Sequence, residues 1–533
     1  MHSTVVVAAC LATLVALLGA ALRLSPIITA AIAACVGLLA AVPIAGHSLP
    51  DWARVACRYR ERARLGPLVD LPAPDGRAMG LYRDGTAVVA VLELLADSGG
   101  RTRISPESLD ADQLVPLCVL ADCLRQHDIR LDGIDVVSHG RRSHSGGAAS
   151  AVYEQLVGPL PATAARTIWI ALRFDTLRCP DAVVRRGGDT AGAIRALGIA
   201  AARTVASLAA SGHRARVLTA TEIRDAVLRV SAGTDPHEIG QTWNHARLGE
   251  HVDVGATIDP VALANPDRAA QILARAWVAP SLGTTTLLRL RPTPDPETVA
   301  VGAAWRRTLD APKPRHREAG QRPVDGRHRR AVLAHLPLAV PWLEDVVGLS
   351  EVPRTDLDRL RLPAGGCGQL VGSDSDGHGV ATRLVGAGVA NVHLDGEPYL
   401  ARQVVFRAVA TGARVVVRTD REQDWAGLAA AIGDRDRLRI TTRAEHSDAG
   451  FDAVMLDGAT ADTADTAPAG VTTLRLNTSP APADVTIRQV GPDRVVLATR
   501  RPDGTHSRAD LTLVSVPAEA EFIGRPMVPA PVG

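Results

Sequence analysis

Asp374-Ser375-Asp376-Gly377-His378-Gly379 is the segment of this 533-residue chain whose residue types could do the most specific chemistry. Two carboxylates one residue apart can hold a divalent cation against a diphosphate, because hard cations take oxygen ligands. On a membrane-tethered protein that pattern fits a glycosyltransferase-like enzyme acting on a sugar nucleotide. The same residue types also build turns, Asp through bonds to its own backbone and Gly through positive φ. The turn is the reading adopted for Asp374 and Asp376. No catalytic, cofactor-binding or metal-ligating residue is assigned, and the chain is read as a non-enzyme.

Other reactive patterns are weaker. Ser138-His139-Gly140 sets a hydroxyl beside an imidazole, but a nucleophile and its base must meet through their side chains. Adjacent strand residues point to opposite faces, so this pair reads as structural. His139 and His144 have no third metal ligand in register. Arg185-Arg186-Gly187-Gly188 precedes a helix and could hold a phosphate at its N-terminus; contact with an acidic partner surface is the reading preferred. A P-loop needs a lysine after a glycine-rich turn. The single lysine, Lys313, lies between Pro312 and Pro314, which excludes a Walker-type ATPase. The cysteines at 10, 35, 57, 118, 123, 179 and 367 form no CxxC pair and no zinc spacing.

The elements that must position these residues alternate between strand and helix, which predicts an α/β fold. Strands are expected at 79–82 and 86–94 across an Asp84-Gly85 turn, then at 131–138, 167–174, 214–218 and 284–290. Ser105 and Pro106 predict the start of a helix running from 108 to 127, residues 193–211 form a second helix stopped by Gly212, and Thr221 caps a third. Farther on, strands at 369–372, 389–394, 413–418, 438–441 and 453–456 alternate with helices at 398–411 and 424–432, the rhythm of a mostly parallel sheet. Residues 458–483 read as a loop, and 485–489, 494–499 and 511–516 as a meander.

The first 46 residues set the context. Val5 to Leu22 and Ile27 to Ile44 are apolar runs of 18 residues each, the lower end of what a core roughly 30 Å thick requires of a spanning helix. Only Arg23-Leu24-Ser25-Pro26 separates them, so the second helix must turn straight back. Neither run has the polar stripe of a core helix, and Met1-His2-Ser3-Thr4 lacks the basic start of a signal peptide. Arg54, Arg58, Arg60, Arg62 and Arg64 follow, with Trp52 and Tyr59 suited to an interfacial aromatic belt. Flanking arginines stay on the cytoplasmic side, so the sequence predicts a two-pass protein of the inner (plasma) membrane with both termini cytoplasmic. The formal charge is +2. Residues 1–66 contribute +4 (six Arg, two acidic), leaving −2 for the rest, which offers no general nucleic-acid footprint. The juxtamembrane arginines suit anionic headgroups, at roughly 1 kcal/mol each.

The expected organisation is therefore a transmembrane hairpin (1–46), a basic juxtamembrane segment and linker (47–78), a first cytosolic α/β domain (79–305), a basic flexible linker (306–330), a second α/β region (331–520) and a loose tail (521–533).

Gly133-Ile134-Asp135-Val136-Val137-Ser138-His139-Gly140 is followed by Tyr153, then Leu156 to Ala162, Arg166-Thr167-Ile168-Trp169, Leu172-Arg173-Phe174-Asp175 and Val183 to Gly188. Arg195, Arg203, Gly212, Ala215-Arg216 and Leu218 close the block. This order resembles the EccE family of the actinobacterial (mycobacterial) type VII, or ESX, secretion system. The overlap is strongest over residues 1–250 and weaker over 365–430. The resemblance implies a structural subunit of an inner-membrane translocon, with EccB, EccC and EccD as partners and the FtsK-like ATPase EccC as the motor. It implies no cofactor.

Overall fold

The computed structural model describes residues between Cys10 and Gly524, apart from 11, 12, 16, 20, 23, 24, 42–48, 61–64, 73–75, 96–99, 145, 313–317, 341–345, 443–449, 459–469, 479–481 and 501–503. The architecture is mixed α/β, built on a 13-stranded and a 12-stranded sheet.

The first sheet is antiparallel throughout. Its central path runs Ala78–Asp84, Ala87–Leu95, Ala165–Asp175, Gly133–Arg141, Gly283–Pro292, Thr298–Leu309, His251–Ile258. Alternating side chains of Ala165–Asp175 serve both faces. Ile168, Ile170, Leu172 and Phe174 enter one core, and Trp169 and Ala171 the other. Burial on both faces explains why these strands read as continuous apolar runs. The first face is covered by the helices Asp189–Ala210 and Pro266–Arg275, the second by Ala220–Val230 and His328–Ala334. Among the described residues Asp189–Ala210 is the one helix long and apolar enough to cross a membrane. It instead buries Ala193, Ala196, Leu197, Ala200, Ala201 and Leu208 on the first sheet.

The second sheet is mixed. Leu438–Thr441, Val415–Thr419, Ala453–Asp457, Thr472–Leu476, Asn391–Asp395 and Val485–Gln489 pair in parallel, in that order. The remainder, through Arg494–Arg500, His506–Leu513, Gln369–Ser373 and Gly379–Thr382 to Arg101–Ile104 and Leu109–Ala111, is antiparallel. Helix Pro398–Ala410 packs into its core with Ala148–Val157 and Glu422–Ile432.

Several expectations need correction. The helix predicted from 108 to 127 is absent. Ser105 to Ser108 form the turn of a hairpin whose strands join the second sheet, and only Leu117–Asp122 is helical. Local capping signals lost there to pairing with a strand nearly 280 residues away. Thr219, not Thr221, caps the next helix, in a reciprocal capping box with Glu222. The expected loop 458–483 contains Thr472–Leu476, a buried parallel strand. The segment 306–330 begins on the buried end of Thr298–Leu309 and carries the strand Gln321–Pro323. Its arginine density hid the alternation, because Arg306 is buried by an ion pair with Asp253.

Of the two apolar N-terminal runs, Val5 and Ile44 lie outside the described residues. The described residues from 10 to 21 are helical, and Pro26–Ala41 is a 16-residue helix. Gly19 faces Thr29, whose side chain occupies the place of a Cβ on Gly19. Leu14, Leu17, Leu18, Leu22, Ile27, Ile28 and Ile32 are all exposed. Helix Leu49–Arg58 then docks at the edge of the first sheet, against the turn that follows Gly240–Gln241. Trp52 stacks on Trp243 at 4.9 Å, and Gln241 donates to the Tyr59 carbonyl at 2.7 Å.

Candidate functional site

The Asp374–His378 turn joins the strands Gln369–Ser373 and Gly379–Thr382. Asp374 Oδ1 accepts the backbone N–H groups of Asp376 (3.0 Å) and His378 (2.9 Å), and Gly377 supplies φ 81°. The turn chemistry read from sequence is thus present. It also gathers ligand atoms of Asp374, Asp376 and His378 within 4.8 Å of one another. That geometry could hold a cation, and it already faces one. Strand Arg101–Ile104 places Arg103 opposite Val380. Its Nε lies 2.6 Å from Asp374 Oδ2, and its Nη2 contacts Asp376 and sits 2.9 Å from His378 Nδ1. Burial works against ionisation of Asp374, but the N–H groups of His378 and Asp376, then Arg103, hold its carboxyl below the usual range. A divalent ion would have to displace the guanidinium. Arg103 was not identified from the sequence, since it lies about 270 positions away in what read as the approach to a helix.

Ser138 and His139 diverge as their strand requires. His139 bonds the Thr285 hydroxyl through Nδ1 at 2.9 Å and stacks on Trp169. Burial first, then Arg306, Arg229 and Arg141, push its pKa down to about 3, so it is neutral at physiological pH. His144 lies beside Arg437, and burial and that charge lower it to about 4. The two imidazoles do not converge on a metal position.

Arg185 and Arg186 separate in role. Arg186 donates from Nη1 and Nη2 to Asp128 at 2.8 and 2.9 Å, and from Nη1 to the Ala182 carbonyl. Those bonds hold Asp128 at about 2. Arg185 remains exposed, 3.6 Å from the same carboxylate and next to the exposed Val184. Arg185 is thus the exposed member of the pair, and Arg186 fastens the loop beneath it. Arg58 and Arg60 are exposed beyond the docked Trp52, while Arg62, Arg64 and the Arg54 side chain lie outside the described residues.

The charged residues best enclosed by the fold are structural. Asp135 is wholly buried and receives Arg289 and Arg291, from the facing strand, at 2.9 Å each. Burial opposes its ionisation, yet the two guanidiniums win and hold its carboxyl low. Arg407 pairs with buried Glu519 at 2.8 Å. Asp457 accepts the Trp425 indole N–H at 2.7 Å and pairs with Arg421. Charges inside otherwise apolar runs, such as Leu288-Arg289-Leu290-Arg291, were the available signal for these pairs.

Comparison with known proteins adds the remaining evidence. Residues 162–255 match the family model described as a type VII ESX secretion system translocon, EccE. The chain is 30% identical over 294 residues to the ESX-5 secretion system protein EccE5 of Mycobacterium marinum, covering 52% of this chain and 68% of that protein. It is 28% identical over 393 residues to the ESX-1 secretion system protein EccE1 of Mycolicibacterium smegmatis, covering 72% and 75%. It is 26% identical over 388 residues to the ESX-2 secretion system protein EccE2 of Mycobacterium tuberculosis, covering 72% and 68%.

Proposed function

This chain belongs to the EccE family of type VII (ESX) secretion-system components, and from that premise we propose that it is a non-catalytic structural subunit of the translocon. Its partners are EccB, EccD and the ATPase EccC, which supplies the energy for export. The single observation that carries the non-catalytic reading is Arg103. Its guanidinium fills the one cluster of metal-ligating side chains found among the described residues.

The N-terminal helices form the anchor. A row of exposed leucines and isoleucines at 14, 17, 18, 22, 27, 28 and 32 is unfavourable in water. It suits lipid, where apolar side chains face hydrocarbon and the backbone bonds to itself. The Gly19 and Thr29 contact is the kind of small-residue approach that lets two such helices pack closely. Both termini then lie on the cytoplasmic side, with the two sheets beneath the inner membrane. Arg185 is the contact offered to a neighbouring subunit.

The test is export by cells whose only copy carries Asp374→Ala and Asp376→Ala. Secretion near the wild-type level is expected. Export abolished while the variant accumulates and assembles normally would show that the carboxylates act in chemistry.

A further inference from the structure

A cleft of about 490 Å³ lies between the hairpin 101–111 of the second sheet and the helix Pro266–Arg275 of the first, a volume ordinary for small-ligand sites. Residues 359–363 close a third side. Leu109, Leu273, Leu360, Leu362 and Trp277, all buried, give it an apolar interior. Two of its three arginines are already matched. Arg359 pairs with Asp267 and Arg361 with Asp110, both pairs exposed at the rim. Glu107 stands exposed on the turn of the hairpin.

Arg166 is the third arginine, and it is not matched. It shares a strand face with Ile168, Ile170 and Leu172, the face that packs with Leu273 in the first core. Its guanidinium accordingly lies 4.2 Å from the ring centroid of Trp277, which follows the same helix. Arg166 is only 9% exposed. Its Nη2 donates to Thr163 Oγ1 at 2.9 Å, and its Nε has no hydrogen-bond partner. No carboxylate among the described residues pairs with it, whereas the buried Arg289, Arg306 and Arg407 each have one. A buried guanidinium without a counter-charge is costly, and burial pushes Arg166 down to about 10.

We propose that this cleft binds a small organic monocarboxylate, its carboxylate paired with Arg166 and its apolar body lying against Trp277 and the leucines. A guanidinium binds a carboxylate through charge-assisted hydrogen bonds, which strengthen where water is excluded. One negative charge balances the one unmatched cation. A phosphate monoester would bring a charge of about −1.5 to −2 at neutral pH, and its excess would face Glu107, Asp110 and Asp267 at the rim. This inference is independent of the anchor and of the translocon role.

The experiment is calorimetric titration of the full chain, solubilised in a non-ionic detergent, with phenylpropionate. Saturable binding is expected. Arg166→Gln should weaken it by at least about tenfold, the loss of one charge-assisted pair. Ala274→Phe fills the cleft from the half-buried face of the helix and leaves Arg166 in place; it should weaken binding as much, and it serves if the first variant does not fold. Absence of binding to the wild type, undiminished binding by the folded variants, phenylpropanol binding as tightly as the carboxylate, or phenylethyl phosphate binding more tightly would each overturn the proposal.

Discussion

His335 carries the clearest single-residue consequence. It is 1% exposed, its Nδ1 bonds the Ala331 carbonyl at 2.7 Å, and burial with nearby Arg306 depresses its pKa to about 3. The unfolded chain takes up this proton near pH 6.5, so the folded state is favoured fully above that pH and loses stability as pH falls toward 3. The slope is about 1.4 kcal/mol per pH unit for each such histidine. Asp253, pushed up to about 6 by burial against the pull of Arg306, works in the opposite sense between about pH 6 and 4. His335→Gln should therefore narrow the difference between urea midpoints at pH 7 and pH 5 relative to wild type. An unchanged difference would refute the assignment. Asp135 is a second test. Asp135→Asn leaves Arg289 and Arg291 buried without their anion and should cost about 3–5 kcal/mol in urea unfolding, whereas a surface carboxylate would cost a few tenths. The sequence named few of these roles. Asp374 and Asp376 were visible as a turn, because Asx chemistry is local. Arg103 and the partners of Asp135 were not, because pairing across a sheet leaves no trace in sequence spacing.

At the scale of elements, legibility followed locality. Ala78–Asp84 and Ala87–Leu95 were legible because their Asp84-Gly85 turn is self-contained. Helix Asp189–Ala210 was legible through its length and Gly212. The hairpin 101–111 was misread as the start of a helix since its strands are held by Gly379–Thr382. Thr472–Leu476 disappeared into a Thr- and Ala-rich run, although burial between two parallel strands leaves it no amphipathic period to show. Helix Leu49–Arg58 makes the testable element. Trp52 and Tyr59 both lie against Trp243, and Val55 is buried beside it. Trp243→Ala should undock this helix and speed tryptic cleavage after Arg58 and Arg60, with little change elsewhere. Cleavage at the wild-type rate would mean that the stack does not hold the helix.

Over the whole molecule, the two sheets exchange segments. Residues 101–111 leave the first region to extend the second sheet, and Ser350–Pro353 returns to pair with Thr298–Leu309 in the first. Two cores tied by such crossings resist sliding past each other. Native mass spectrometry of a tagged full-length chain, extracted in mild detergent from cells making the secretion system, tests the structural-subunit role most directly. A particle holding this chain together with other ESX membrane components is expected. A chain that flies alone, from membranes where those components are intact, would contradict it.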